Sequence, residues 1–232
     1  MGIQIIYIMK KSGLAFATIM LLTTTLTRPV SAQTITPPVT EAEKEAFYAR
    51  SIEYRTVDIL KALNLDDPAK SNAVHDVLVE QYHNLRVRDA AIDTRLKVDG
   101  KDISYANRAP LLAQQVQPLH DQFLAKLAES LTPEQVDQVK ELMTYHKVKV
   151  TYEAYCQIVP GLTDAEKARI LELLRQAREE AIDGGNAPEK SAIFQKYKDQ
   201  INAYLNAQGL DTAKAFQDWL AKHPGTNNAA GK

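Results

Sequence analysis

Residues 131–183 read LTPEQVDQVKELMTYHKVKVTYEAYCQIVPGLTDAEKARILELLRQAREEAID, and this stretch decides the fold. Thr132 stands three residues before Gln135, and Thr163 three before Glu166. Each pair matches a capping box, in which the threonine hydroxyl and the residue-three side chain satisfy two amides at a helix start. Behind each box the apolar residues recur at helical spacing: Val139, Leu142 and Met143, then Ile170, Leu173 and Leu174. Two capped amphipathic helices therefore frame a segment, Tyr145 to Tyr155, that reads as a non-helical crossing.

The same grammar extends outward. Thr40 caps a helix over 41–63, and Asp67-Pro68 opens one that carries Val74, Val77, Leu78, Tyr82, Leu85, Ile92 and Leu96. Residues 98–109 read as a polar loop. A third helix is expected over about 110–130 with Leu112, Val116, Leu119, Phe123 and Leu127, kinked or broken at Pro118. Gly184-Gly185 stops the helix that Thr163 begins. Pro188 opens another, and Asp211 or Thr212 caps a short last one with Phe216, Trp219 and Leu220. No run alternates long enough to build a sheet. The pattern predicts an all-α fold: an irregular helical bundle of about six to seven helices in a single domain over 41–221. Residues 222–232 are expected to be disordered.

The N-terminus reads as an export signal over 1–32. Lys10 and Lys11 precede the apolar Leu14–Leu26 run, and Val30-Ser31-Ala32 fits a cleavage site between Ala32 and Gln33. Met9 can serve as the true start. The apolar run is shorter than the roughly 20 residues a spanning helix needs. Residues 33–40 form a linker. The expectation is a periplasmic or secreted protein that does not span the membrane after cleavage. Cleavage leaves 25 basic against 29 acidic side chains, which argues against a general nucleic-acid binder. Cys156 is the sole cysteine, so no internal disulfide can form, and it reads as a small buried thiol.

Few constellations point to chemistry. Glu80-x-x-His83 is half of a di-iron motif without its second half. There is no Gly-rich phosphate loop and no nucleophile elbow. No metal or cofactor is expected. Arg175, Arg178, Glu179 and Asp183 read as a solvated helix end, as do Lys196, Lys198 and Asn202 on the next helix. The crossing differs, with Tyr145, His146, Lys147, Lys149, Tyr152, Glu153 and Tyr155 within eleven positions. Tyrosine offers a flat apolar face and a hydroxyl, the combination a sugar ring requires. Tyr145, Tyr152 and Tyr155 would stack on such a ring, while His146, Lys147, Lys149 and Arg178 would meet its hydroxyls or carboxylates. The alternative is that these tyrosines pack the crossing onto the bundle.

Met143-Thr144-Tyr145, Thr151-Tyr152 with Tyr155, Pro160-Gly161-Leu162-Thr163, Ala177-Arg178-Glu179 through Asp183-Gly184, and Lys196-Tyr197-Lys198 through Ile201-Asn202 with Tyr204-Leu205 resemble the domain-of-unknown-function family 3826 of exported bacterial proteins. The resemblance covers nearly all of the chain beyond the leader. It implies sugar binding in plant polysaccharide utilisation, with a plant-type oligosaccharide as partner and no catalytic residues to carry over. Leu131-Thr132 through Gln135 also resembles the helix starts of Spy-type periplasmic chaperones. Three functions are therefore carried forward: a carbohydrate-binding accessory protein, a chaperone or stress-sensing bundle, and a helical carbohydrate-active enzyme. The balance leans away from an enzyme.

Overall fold

A computed structural model describes residues 40–224. The leader 1–32, most of the 33–40 linker, residues 225–232 and the Val116 side chain lie outside the described residues. Eight helices follow in order: α1 Glu41–Leu63, α2 Pro68–Val98, α3 Tyr105–Ala128, α4 Pro133–Met143, α5 Lys147–Ile158, α6 Asp164–Ala181, α7 Ala187–Ala207 and α8 Thr212–Lys222. Among the described residues the protein is all-helical.

The caps sit where the sequence puts them. Thr40, Thr132 and Thr163 each complete a capping box, and the Asp67 carboxylate accepts from the Ala69 and Lys70 amides ahead of Pro68. A cap of this kind contributes about 1 kcal/mol.

Three expectations need correction. First, the crossing is not irregular: α5 occupies Lys147–Ile158 and is the helix that raises the total above seven. The break that separates it from α4 is only three residues, Thr144 to His146, of which Tyr145 (φ 57) and His146 (φ 55) are left-handed. Each costs about 1–2 kcal/mol for a non-glycine residue. The turn is held by amide bonds from Tyr145 to the Leu142 carbonyl (3.1 Å) and from His146 to the Glu141 carbonyl (2.9 Å). Second, α3 begins at Tyr105, five residues early, because the Ser104 hydroxyl caps the Asn107 amide. It runs on through both Pro110 and Pro118. Each proline removes one amide donor, leaving the carbonyls of Ala106 and Gln114 without their helical partner. Third, Cys156 is exposed, on the face of α5 turned from the core.

Among the described residues two large apolar cores result, with a small third cluster of Ile92, Leu96 and Leu112 between α2 and α3. Ile52, Leu63, Leu78, Phe123, Leu127 and Val139 join α1 to α4, and Ile182 reaches into this group from beyond α6. Val148, Ile170, Leu174, Phe194, Ile201 and Leu205 join α5, α6 and α7. Burying a leucine or isoleucine of this kind contributes roughly 1.5–3 kcal/mol. What lies between the cores is charged.

Candidate functional site

The chain turns from α6 to α7 at Asp183-Gly184-Gly185-Asn186, directly after Ala181 of the second core and Ile182 of the first. Asp183 is 2 % exposed, Glu189 4 %, Lys190 2 %, and Arg88 on α2 4 %. The Arg88 guanidinium donates to the Asp89 carboxylate (2.8 and 3.0 Å) and to the Asp183 carbonyl (2.8 Å). Arg108 on α3 pairs with Asp89 at 3.0 Å, Asp93 at 3.1 Å and Glu189 at 3.5 Å. Lys190 donates to the Ala181 and Ile182 carbonyls, closing the end of α6, and burial pushes its pKa down to about 8.

Asp183 connects three helices. One carboxylate oxygen accepts from Gln81 Nε2 (3.3 Å) and the other meets His120 Nδ1 at 2.7 Å. That bond raises the His120 pKa above its ordinary value, against the opposing effect of burial. Burial raises the Glu189 carboxyl, Asp89 adds to the rise, and Arg108 and the Gly185 amide work against it. Buried ions lose hydration that pairing only partly returns. A cluster of perturbed groups beside a cleft is the usual mark of a binding or catalytic site.

The cleft is present. A cavity of about 320 Å³ between α3, α6 and α7 is lined by Tyr105, Gln117, Glu180, Asp183, Glu189 and Lys196, with Leu112 and Ile193 as apolar wall. A second cavity of about 440 Å³ shares Tyr105 and Glu189 with it and continues past Asp93, Arg108 and Asn186. Tyr105 thus lines two hollows, each with charged side chains set in a mainly apolar wall. Glu180 is held by Lys196 (2.6 Å), which lines the same cavity, and by the Tyr197 hydroxyl (3.1 Å). Among the described residues no three His, Cys, Asp and Glu side chains cluster as a metal site would need.

The crossing residues scatter around α5. Tyr145 and His146 are exposed at the α4–α5 corner. The Lys147 ammonium lies 6.0 Å from the Phe194 ring centroid, and Lys149 pairs with Glu153 at 2.6 Å. Tyr152 packs half-buried against the second core near Cys156. Tyr155 alone reaches a pocket, between α5, α7 and α8, where its hydroxyl donates to Asn202 Oδ1 (2.8 Å). Arg178 lies apart from them. It is 6 % exposed and clamps α4 to α6 through Asp137 (3.0 Å), Glu141 (3.2 Å) and Glu179 (3.2 Å). The helix end read as solvated is therefore buried at Arg178 and Asp183.

One signal for the charged seam lies in the sequence. In α2 the buried stripe runs Val74, Leu78, Gln81, Tyr82, Leu85, Arg88, Ile92, Leu96, so Gln81 and Arg88 occupy core positions. Arg178 does the same between Ala177 and Ala181 in α6. Polar residues in register with an apolar stripe mark a buried network, and the apolar pattern hides them when read alone.

The family model for proteins of unknown function, DUF3826, matches residues 49–224, and the chain belongs to that family. No curated protein matches the chain. The matched span contains α2 to α8 and both walls of the cleft.

Proposed function

We propose that this is an exported carbohydrate-binding accessory protein, and that an oligosaccharide lies across Tyr105 in the cleft between α3, α6 and α7. The observation that carries this reading is the pair of hollows meeting at Tyr105 and Glu189, each with charged side chains set in a mainly apolar wall. A pyranose presents C–H groups on its face and hydroxyls at its rim. A tyrosine ring suits the face. Fixed carboxylates, an amide and an ammonium suit the rim, because each hydrogen bond to a charged group is worth more than a neutral one. Two hollows flanking one ring provide room for more than one sugar unit. The crossing supplies fewer such groups in one place, since its side chains scatter around α5 and only Tyr155 of them lines a described pocket. Export rests on the leader alone, with Lys10, Lys11, the Leu14–Leu26 run and Val30-Ser31-Ala32. Among the described residues no helix is long and apolar enough to cross a membrane.

Isothermal titration with neutral and acidic plant-type oligosaccharides tests the reading. Saturable heat is expected from at least one, falling about ten-fold in affinity in Tyr105→Ala, which corresponds to a ring contact worth about 1.4 kcal/mol. No heat from the whole panel at millimolar ligand overturns it.

A second reading, a helical carbohydrate-active enzyme, is favoured by one observation: Asp183 and Glu189 line the same cleft, and His120 is bonded to Asp183. Glycosidic hydrolysis uses two carboxyl groups about 5–10 Å apart. Release of reducing ends that stops in Glu189→Gln would support it, and undegraded oligosaccharide after prolonged incubation would exclude it.

A further inference from the structure

The pocket between α5, α7 and α8 has a different chemistry from the cleft. Its volume is about 450 Å³, within the ordinary range for small-molecule sites. Val150, Ala154, Ile158 and Phe216 supply apolar wall, and Phe216 is 41 % exposed. No carboxylate lines it, and Lys198 is its only charged residue.

The polar groups are set for an anion. Lys198 is half-buried, and among the described residues its ammonium has no ion-pair partner. Burial and nearby Lys147 hold its pKa below the usual lysine value, with Asp199 opposing. Asn202 receives the Tyr155 hydroxyl on its carbonyl oxygen, at 2.8 Å. Among the described residues its amide donors have no protein acceptor. The Thr212 hydroxyl is already given to Asn206, at 3.1 Å. The pocket therefore presents one ammonium, one carboxamide donor and the Thr151 hydroxyl at the edge of an aromatic and aliphatic wall.

We propose that this pocket is a second binding site, for a small aromatic carboxylate. The ring lies against Phe216 and Ile158, and the carboxylate accepts from Lys198 and Asn202. A neutral sugar would leave the ammonium unpaired and place its hydroxyls against aliphatic side chains, where an unpaired polar group is costly. The site is independent of the oligosaccharide cleft and shares no lining residue with it.

Isothermal titration of the full chain at low salt with 3-phenylpropionate, 3-phenyl-1-propanol, octanoate and galacturonate tests the proposal. The aromatic acid should bind saturably and at least about ten-fold more tightly than the alcohol, because a charge-assisted bond is lost in the latter. Lys198→Met should lose a similar factor while keeping its circular dichroism and melting temperature. Phe216→Ala, a change at a position 41 % exposed, gives a second variant, checked by the same circular dichroism and melting temperature, which should weaken the acid. No saturable heat from the aromatic acid overturns the proposal. So does equal binding of the alcohol, unchanged affinity in Lys198→Met, or tighter binding of octanoate or galacturonate.

Discussion

A β-carbon placed on Gly185 would lie 1.8 Å from Oδ2 of Asp89. The carboxylate of α2 thus occupies the space that any other residue at the α6–α7 turn would fill. Asp89 cannot swing aside freely, because Arg88 and Arg108 both hold it. Gly185→Ala should cost about 2 kcal/mol, the usual scale of an overpacked site. A double-mutant cycle with Asp89→Ala checks the cause by urea unfolding. The glycine substitution should cost clearly less in the Asp89→Ala background, and an additive pair would place the strain elsewhere.

Arg178 ties α4 to α6 from a nearly buried position, with three carboxylates around it. Arg178→Met leaves Glu141 without its cation and Glu179 with Lys140 alone. The expected loss is about 3 kcal/mol, near the low end for a broken buried pair, because Asp137 stays half-exposed. Arg178→Lys should recover little, since a single ammonium cannot reach three carboxylates as a planar fork does. Urea midpoints for the two variants decide this, and a lysine variant as stable as the parent would contradict it.

His120 makes stability depend on pH. Its bond to Asp183 raises its folded-state pKa, so the folded chain holds that proton more tightly than the unfolded one. The resulting stabilisation is complete below about 6.5, the unfolded value, and is lost as pH rises through the raised folded value. The stability gap between the parent and His120→Gln should therefore shrink from pH 6 to pH 8.5. A gap that widens with pH would show that Asp183 is not the controlling partner.

Cys156 should titrate with a thiol reagent in the native protein, at one equivalent per chain and without denaturant, because it is exposed on α5. Reaction only after unfolding would return it to the core, as the sequence alone suggested.

These cases show what the sequence could carry. Helix starts were legible because capping is local: Thr132 and Gln135, or Thr163 and Glu166, need nothing beyond three residues of chain. The α4–α5 corner was not, because Tyr145 and His146 adopt left-handed backbone with no glycine to announce it. The run of Val, Thr and Tyr in α5 also favours strand or irregular chain by propensity, and packing of Val148 and Tyr152 onto the second core overrides it. The cleft was least legible of all. Its residues come from α3, α6 and α7, and Asp183 meets His120 across 63 positions. Only the misplaced polarity of Gln81, Arg88 and Arg178 within apolar stripes hinted that charge lay between the cores.

The central claim is that an oligosaccharide crosses Tyr105. A crystal structure of the protein soaked with the tightest-binding oligosaccharide tests it most directly. The account predicts sugar density in both hollows, with one ring against Tyr105 and hydroxyls within hydrogen-bond distance of Glu189 and Lys196. Density confined to the α4–α5 corner around Tyr145 and Tyr152, with the cleft empty, would contradict it.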